Sequence, residues 1–560
     1  MAYDLVITNG MVIDGTGFPR YRADIGIRHG VIADIGHLHG VAATRTIDAD
    51  GLCVAPGIID LHTHYDAQPF WDKLCTPSIW HGVTTVLAGN CGLTLAPLRP
   101  EHREAMLATF CCVEDLPLQA LGGVLPWNWE TMGEFMDAID QGLGVNMMPL
   151  VGHNPLRLSA MGEAAWERTA TPEEIATMQT LLQAAMQDGA WGWSTTASPT
   201  HAGPTGDPVP TRLADDAERL ALARTMGTVN RGVMEVLPRS IVQLDAADQQ
   251  HVFELAVASG RPLFLLGFSD NMRPYIEASA QAGAQLCTLL RVIPFNRRFT
   301  LKRTTFFRNL DLWDTVLGLP LAERLAAFAN PPQRAALRQA AMQPQRRRPG
   351  VPGRPLPWQA IAVHKVTRDM HRALEGRRLI DLAEAQGTHV VDVMLDLAMS
   401  EGLETEFQVT MRPAEEEVRL AELVKSGYAI PSQTDAGAHL NTNFCTAGES
   451  TYVLSQWVRE RQFLSLEDAV RRLTFQPARL MGLRDRGLIR EGLAADLMLF
   501  DLARIGVTED EVWNDGPAGT PRRVQGAEGI HAVIVNGQMV LHHGQPTGAL
   551  PGRVLRSTEV

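Results

Sequence analysis

The sequence predicts an α/β protein made of parallel β/α units, together with a smaller sheet domain that both ends of the chain build. Apolar strand-like runs alternate with helical stretches through the middle of the chain, a pattern typical of parallel sheets. Short strands separated by Asn-Gly and Asp-Gly turns occupy the two ends. The 560 residues accommodate one large and one small domain, because α/β barrels are often long.

The small domain is predicted from several short strands at the two ends of the chain. Each of these strands is predicted from a run of strand-forming residues beside a turn. The runs cover residues 3–8, 11–13, 23–27, 31–35, 495–500, 531–535 and 538–541. Chain ends often lie close together in a folded domain. We therefore expect residues 1–55 and 490–548 to form one composite sheet domain, with two separate small domains as the alternative.

The large domain, residues 56–489, is predicted from apolar runs that helical segments separate. The candidate strands cover residues 83–88, 144–151, 232–237, 262–266, 361–363 and 428–432. The clearest helix covers residues 171–188, where Thr171 is the cap, Pro172 takes the first helical position and Glu174 completes a capping box. Strands and helices that alternate in this way indicate a parallel sheet.

Two stretches interrupt this alternation. Residues 297–308 are basic and aromatic, and residues 343–357 are rich in Pro, Gly and Arg. We interpret the region around 290–357 as an inserted loop or subdomain over the mouth of the large domain, where it supplies a cation for an anionic substrate. Nucleic-acid binding is the alternative for the basic and aromatic stretch, whose role stays open.

Composition and charge restrict the partners. With 45% hydrophobic and 20% charged residues, the chain has the composition of a globular protein with a sizeable core. A net charge of −13 disfavours nucleic acid, which is bound mainly through Lys and Arg. We find no signal peptide and no apolar run near the ~20 residues that cross a bilayer. The 7 cysteines are scattered and odd in number, so we expect a cytoplasmic protein without a membrane partner.

Two histidines two residues apart are the first candidates for a metal site. His62 and His64 come just after residues 54–61, a mostly apolar run of strand length. Alternate residues of a strand point the same way, so both imidazoles can reach one point. Two ordinary histidines are the alternative, because short motifs have many chance matches.

Two further residues follow apolar runs in the same way. Cys91 follows residues 83–88 in a glycine-flanked turn, and Asp435 follows residues 428–432. Active sites of barrels lie at the C-terminal ends of the strands, and a thiolate is a strong ligand for Zn²⁺. We therefore predict Cys91 as a metal ligand and Asp435 as a ligand or general base. A buried structural thiol and a turn-forming aspartate are the alternatives.

In this order, these segments resemble the amidohydrolase superfamily and, within it, the N-acyl-D-amino-acid deacylase (D-aminoacylase) family. The matching motifs are Gly57-Ile-Ile-Asp-Leu-His-Thr-His64, Gly89-Asn-Cys-Gly92, Leu150-Val-Gly-His153, Thr434-Asp-Ala-Gly-Ala-His439, Leu473-Thr-Phe-Gln-Pro-Ala478 and Gly492-Leu-Ala-Ala-Asp496-Leu497. The resemblance extends over nearly the whole chain. It implies a distorted TIM-type (β/α)8 barrel with a small β-sandwich domain built from both termini.

The resemblance also implies the make-up of the metal site. In the family, the positions matching His62, His64, Cys91 and Asp435 belong to this site, and the cysteine can bridge two ions. Family members have further histidines at the ends of strands five and six, whereas residues 232–238 and 262–268 of this chain contain none. We therefore expect one zinc ion, with the second position in doubt.

Four residues are candidates for binding substrate or supporting the site. Glu235 either replaces a histidine as an oxygen ligand or faces a helix and pairs with a cation. His153 and Arg157 follow a strand, and they either orient substrate or have a structural role. His439, four residues after Asp435, either supports this aspartate or binds substrate.

The expected reaction is hydrolysis of a linear amide in a small molecule, an N-acyl-(D-)amino acid or a related amide. The metal ion polarises the carbonyl and lowers the pKa of its water from about 15.7 towards about 7. Asp435 accepts the proton of the water and returns it to the departing nitrogen.

Two alternatives to this function stay open. The first is a hydantoinase-like hydrolase of cyclic amides, disfavoured because such relatives usually carry a lysine on strand four instead of a cysteine after strand two. The second is a catalytically divergent member that has lost the second metal position. The acyl group, the side chain and the stereochemistry of the substrate are not predicted, and neither is the oligomeric state.

Overall fold

The computed structural model describes residues 2–241, 244–267, 270–302, 304, 306–307, 310–344, 355–410, 416–439 and 444–559. The chain divides into two compact units. Met1–Ile293, Glu416–Leu440 and Cys445–Val560 form the first unit, and Pro294–Glu415 with Asn441–Phe444 form the second. No helix among the described residues is long and apolar enough to span a membrane.

Both units contain β-strands, which are numbered along the chain. They are β1 Tyr3–Val12, β2 Tyr21–Arg28, β3 Val31–Gly36, β4 Ala43–Asp48, β5 Cys53–Pro56, β6 Ile58–Asp60, β7 Val83–Ala88, β8 Asn146–Pro149, β9 Val151–Gly152, β10 Gly192–Thr196, β11 Val233–Leu237, β12 Leu263–Leu266, β13 Leu286–Leu290, β14 Asn296–Phe299, β15 Ile361–Lys365, β16 Glu406–Thr410, β17 Ala429–Pro431, β18 Leu497–Phe500, β19 Gly506–Trp513, β20 Arg522–Glu528, β21 Ile530–Val535, β22 Gln538–His542 and β23 Gln545–Pro546.

The α-helices lie mostly between the parallel strands and within the second unit. They are α1 Arg103–Glu114, α2 Leu118–Gly122, α3 Met132–Ile139, α4 His153–Met161, α5 Pro172–Gln187, α6 Asp216–Val229, α7 Ala246–Ser259, α8 Arg273–Gln281, α9 Asp311–Leu317, α10 Leu321–Ala329, α11 Pro331–Met342, α12 Leu379–Gln386, α13 Val390–Ser400, α14 Glu417–Lys425, α15 Glu449–Tyr452, α16 Leu466–Leu473 and α17 Phe475–Met481. The capping box of α5 forms as predicted, with reciprocal contacts between Thr171 and Glu174.

The barrel of the first unit consists of parallel strands. β9, β10, β11, β12, β13 and β17 pair in that order, and β6, β7 and β8 form a second parallel group. Only Leu150 separates β8 from β9, so the two groups follow one another. Just past β6 and β17, Thr63 and Ala436 form a parallel bridge. The strands therefore form the predicted distorted (β/α)8 barrel, and this prediction is confirmed.

Strands from both ends of the chain build the small sheet domain. One sheet has the order β23, β22, β21, β18, β5, β1, β2 and β3, with β4 paired to β1. β5 joins the two ends, because it pairs with β1 on one side and with β18 on the other. A separate hairpin of β19 and β20 accompanies this sheet. The two ends of the chain therefore contribute strands to one continuous sheet, and the domain made of residues 1–55 and 490–548 stays a prediction.

The second unit interrupts the barrel between β13 and β17 and has a core of its own. Its antiparallel sheet has the order β14, β16 and β15. Phe299 stacks on Phe306, with ring centroids 4.4 Å apart, and Phe307 stacks on Trp313. The described aromatic residues of the stretch 297–308 therefore pack inside this unit. Arg303, Arg308 and most of the Pro-rich stretch, residues 345–354, lie outside the described residues.

The structure corrects the predicted strands in two respects. Residues 361–363 do form a strand, β15, but it belongs to the antiparallel sheet of the second unit and not to the barrel. The barrel strands β10 and β13 were not predicted. β10 reads Gly-Trp-Ser-Thr-Thr and is buried throughout. Because most of its side chains are polar, the sequence contains no apolar run that would predict this strand.

Candidate metal centre

His62 and His64 lie at the C-terminal end of the first barrel strand, β6, and both are buried. One ligand atom from each imidazole and the sulfur of Cys91 lie within 4.8 Å of one another. His62 Nε2 is 3.9 Å from Cys91 Sγ. Among the described residues, Nδ1 of neither histidine has a hydrogen-bond partner. The structure therefore brings together three of the four residues that the sequence predicts as metal ligands.

The turn that carries Cys91 follows the second barrel strand, β7, and depends on its glycines. Gly89 has a φ of 83°, and a Cβ at this position would lie 2.5 Å from the carbonyl oxygen of Leu150. Asn90 Nδ2 donates to the carbonyl oxygen of Thr63 at 3.0 Å, which joins the turn to the segment between the two histidines. The turn therefore fixes the position of the thiol relative to both imidazoles.

Burial disfavours the charged forms of Cys91 and His64 in the absence of a metal ion. Burial, and then the charge of Glu235, raise the pKa of the Cys91 thiol well above its usual range. Burial, and then His62, lower the pKa of His64 well below its usual range. A bound cation would instead lower the pKa of the Cys91 thiol, because a thiol that coordinates a metal is deprotonated.

Asp435 lies in the loop after the last barrel strand, β17, beside the two histidines. Its Oδ1 is 3.3 Å from His62 Nε2, and its Oδ2 accepts a hydrogen bond from Arg291 Nη2 and lies 3.5 Å from His439 Nε2. Burial opposes ionisation of this carboxyl, but Arg291, His439 and His62 outweigh it and hold the pKa of Asp435 well below its usual range. Asp435 is therefore a carboxylate held in an ion pair.

Two buried carboxyl groups fix the strand ends that carry these residues. Asp60 accepts hydrogen bonds from Thr434 Oγ1 at 2.5 Å and from the backbone N–H of His62 at 3.2 Å. Glu449 accepts from the backbone N–H groups of Val292 at 2.6 Å and Gln433 at 2.9 Å. Asp60 thus joins the first strand to the last, and Glu449 joins the segments that follow β13 and β17.

Two more carboxyl groups face the ligands themselves. Glu114, at the end of α1, lies with Oε2 3.6 Å from His64 Nε2. Glu235, on the fifth barrel strand, accepts a hydrogen bond from the backbone N–H of Cys91 at 2.7 Å, and its Oε1 has no partner within the described part of the chain. Burial raises the pKa of Glu114 well above its usual range and that of Glu235 to about 8.

His153 and Arg157 lie in a different buried cluster, on α4. His153 Nε2 is 2.7 Å from Glu218 Oε1, and Arg157 Nη1 donates to the other oxygen of the same carboxylate. His153 Nδ1 also lies 2.9 Å from Thr195 Oγ1. All three charged or titratable side chains have no exposed surface. These contacts favour the structural role of the two that the sequence left open.

The set of donors fits a borderline-soft divalent metal ion such as zinc. Two imidazoles and one thiol match the nitrogen and sulfur ligands that Zn²⁺ prefers, and three protein ligands leave a position open as in catalytic zinc sites. Asp435 and Glu114 flank the histidines as oxygen donors. The fifth barrel strand, β11, brings the carboxyl group of Glu235 to this site and contains no histidine.

The sequence did not reveal several of these residues. Arg291 follows β13, a strand that was not predicted, so its place at the strand end could not be seen. Glu114 belongs to a helix with charged residues at Arg103 and Glu104, where a glutamate is normally expected to face solvent. Glu449 starts the short helix α15 and gives no signal of its own in the sequence.

Comparison with known proteins identifies the family. A family model described as "Amidohydrolase family" matches residues 45–345 and 358–541. The chain belongs to the amidohydrolase family. A second model, for the N-terminal domain of the urease alpha-subunit, matches residues 1–57, which lie in the small sheet domain of this amidohydrolase.

Several relatives that match over nearly the whole length are named as deacylases of N-acyl-D-amino acids. The N-acyl-D-aspartate deacylase of Alcaligenes xylosoxydans xylosoxydans is 28% identical over 99% of this chain and 95% of its own. The N-acyl-D-glutamate deacylase of the same organism is 30% identical over 99% of this chain and 96% of its own. The Bordetella bronchiseptica N-acyl-D-glutamate deacylase, solved with zinc and a phosphonate inhibitor, superposes with a TM-score of 0.66 at 26% identity, over 99% of this chain and 100% of that one.

The buried cluster on α4 makes a testable prediction. Glu218→Gln removes the carboxylate that compensates Arg157, and a buried charge left without its partner is strongly destabilising. We expect the free energy of unfolding to fall by about 3 kcal/mol or more, measured as a lower midpoint of thermal unfolding, while the amount of bound metal per chain does not change. Glu254→Gln on α7 is the control, because this side chain is exposed.

A lower pH reduces the difference in the free energy of unfolding between Glu218→Gln and the wild-type chain. Burial alone would raise the pKa of Glu218, but His153 and Arg157 lower it to about 2, from an ordinary value of 4.5. The stabilisation is therefore present above pH 4.5 and is lost as the pH falls towards 2. A loss of bound metal in Glu218→Gln at unchanged stability would contradict the structural role of this cluster.

Proposed function

We propose that this amidohydrolase is a zinc-dependent deacylase of N-acyl-D-amino acids, with one Zn²⁺ ion held by His62, His64 and Cys91. The convergence of these three ligand atoms within 4.8 Å, at the C-terminal ends of neighbouring barrel strands, carries the proposal. The deacylases that match the whole chain support it. They also favour a linear amide over the cyclic amides of a hydantoinase.

A zinc ion at this position supplies a Lewis acid for the amide carbonyl and lowers the pKa of a water molecule from about 15.7 towards about 7. The chain itself supplies the groups that hold and move protons. Asp435 faces the ligands as an ionised carboxylate, so it can accept a proton and return it to the departing nitrogen as general acid. Glu114 and Glu235, whose pKa values burial raises, surround the ligands with further oxygen atoms.

The ion pair between Arg291 and Asp435 sets a condition for this proton transfer. A carboxylate that accepts a hydrogen bond from a guanidinium is a weak base, because the cation stabilises the ionised form. Every N-acyl amino acid carries a carboxylate of its own, and arginine binds carboxylates well. We propose that the substrate carboxylate binds Arg291 in place of Asp435. Substrate binding thereby releases Asp435 and raises its pKa.

The two rival functions differ from this one in specific residues. The fourth barrel strand, β10, contains no lysine, so it lacks the residue that hydantoinase-like relatives usually carry there. A divergent, inactive member would not need an ionised Asp435 beside the ligands. A cytoplasmic location and a small-molecule substrate without nucleic-acid or membrane partners remain parts of the proposal.

The deciding experiment combines metal analysis with a substrate screen. We expect the purified chain to contain about one zinc ion and to hydrolyse N-acyl-D-amino acids but not their L-enantiomers or hydantoins. Aspartate, glutamate and apolar side chains in the screen identify the preferred substrate. His62→Ala and Cys91→Ala should lose zinc, whereas the exposed His39→Ala should retain it. Turnover of the L series alone, or full activity without metal, would overturn the proposal.

Asp435→Asn tests the proton-transfer role directly. We expect kcat to fall by about 10²- to 10⁴-fold, the usual contribution of a general acid–base group, because the amide cannot accept the proton. Zinc content should stay at the wild-type level, since the imidazoles and the thiol remain. Asp137→Asn, at an exposed carboxylate on α3, is the control. Unchanged turnover in Asp435→Asn would exclude this role.

Arg291→Met tests both proposed functions of the guanidinium, which are to pair with Asp435 and to bind the carboxylate of the substrate. Without the cation the pKa of Asp435 in the free enzyme rises, so the acid limb of the kcat/KM profile, which reports the free enzyme, should move to higher pH. KM for N-acyl-D-amino acids should increase, whereas hydrolysis of an N-acyl amine without a carboxylate should change much less. Arg261→Met, beside the start of β12 at the opposite end of the barrel, is the matched control. Equal losses for both substrates with an unmoved acid limb would contradict the proposal.

A further inference from the structure

Three histidines lie together on the small sheet domain, which contributes none of the residues of the candidate metal centre. His531 is in β21, His542 ends β22, and His543 follows in the turn to β23. The ring centroids are 4.0 Å apart for His531 and His543, 4.3 Å for His542 and His543, and 5.5 Å for His531 and His542. One ring nitrogen of each lies within 4.8 Å of the others.

The backbone explains how these three side chains meet. β21 and β22 are antiparallel, with Ala532 opposite His542, and the backbone N–H of His543 donates to the carbonyl oxygen of His531 at 2.7 Å. Consecutive residues of a regular strand point to opposite faces, which would separate His542 from His543. His543 has a φ of 48°, outside the extended region, and this bend turns its imidazole back to the other two.

We propose that His531, His542 and His543 form a second metal site, which binds a divalent transition-metal ion such as Zn²⁺. Imidazole suits Zn²⁺, Ni²⁺ and Cu²⁺, and three imidazoles from two strands and a turn supply one face of a coordination shell. His531 and His542 are half-buried and His543 is exposed, so an ion reaches the site from solvent and water completes its coordination. This inference does not depend on the deacylase function.

The site has two physical consequences. A bound ion joins β21, β22 and the turn to β23, so it stabilises the edge of the composite sheet in proportion to its concentration relative to its Kd. The three ligands are neutral imidazoles and include no thiolate or carboxylate. Binding is therefore weaker than at the cysteine-containing centre in the barrel, and the ion exchanges with solvent more readily.

A zinc titration of the zinc-loaded full-length enzyme tests the proposal. After excess metal is removed, calorimetry with Zn²⁺ alone should detect about one further ion per chain, together with a higher midpoint of thermal unfolding. His531→Asn, His542→Asn and His543→Asn should each weaken this binding by at least about tenfold. His39→Asn, at an exposed histidine of the same domain, should leave it unchanged.

Two further variants separate this site from the barrel and from misfolding. Glu235→Gln should not alter the additional binding, because a second ion in the barrel would depend on that carboxylate and the ion on the sheet would not. The histidine variants should keep the wild-type unfolding midpoint when no zinc is added. Absence of a further ion in the wild-type chain, or its persistence when all three histidines are replaced, would overturn the proposal.

Discussion

The candidate centre depends on the closure of the barrel between its first and last strands. The backbone N–H of His64 donates to the carbonyl oxygen of Ala436 at 2.7 Å, and that of Asp435 donates to the carbonyl oxygen of His62 at 3.2 Å. These two hydrogen bonds bring together residues that are more than 370 positions apart in the chain. The side chain of Asp60 accepts a further hydrogen bond from Thr434 Oγ1 between the same two strand ends. The distance between the imidazole of His62 and the carboxylate of Asp435 follows from backbone pairing, which is much stiffer than a flexible loop.

Around these two strand ends, the described buried groups include more carboxyl groups than guanidinium groups. Asp60, Glu114 and Glu235 are buried, and burial raises the pKa of each, whereas Arg291 is the guanidinium that contacts Asp435. Buried carboxyl groups without a compensating charge are stable only when they are protonated. A divalent cation lowers the pKa of such groups and of the thiol together. Metal binding at this centre therefore favours the ionised forms of the nearby carboxyl groups as well as that of the thiol.

Sequence patterns predicted the parts of this site that short motifs encode, and they missed the parts that only tertiary structure determines. The two histidines, Cys91 and Asp435 each follow an apolar run, so their place at strand ends was visible. Arg291 was missed because β13 was missed. The burial of Arg157 depends on a carboxylate 61 residues away, and no local pattern indicates such a partner. An apolar run of three residues cannot distinguish a parallel from an antiparallel strand, which explains the wrong placement of β15.

The pairing of β5 with both β1 and β18 has a consequence for the order in which the protein folds. The two partners of β5 are made at opposite ends of translation, because roughly 440 residues separate Pro56 from β18. At about 5 to 20 residues per second, synthesis of the intervening chain takes roughly 20 to 90 seconds. During this time β5 has a free edge of unpaired backbone groups, and such an edge can pair with another chain. The nascent sheet therefore needs protection from pairing with other chains until the last strands leave the ribosome.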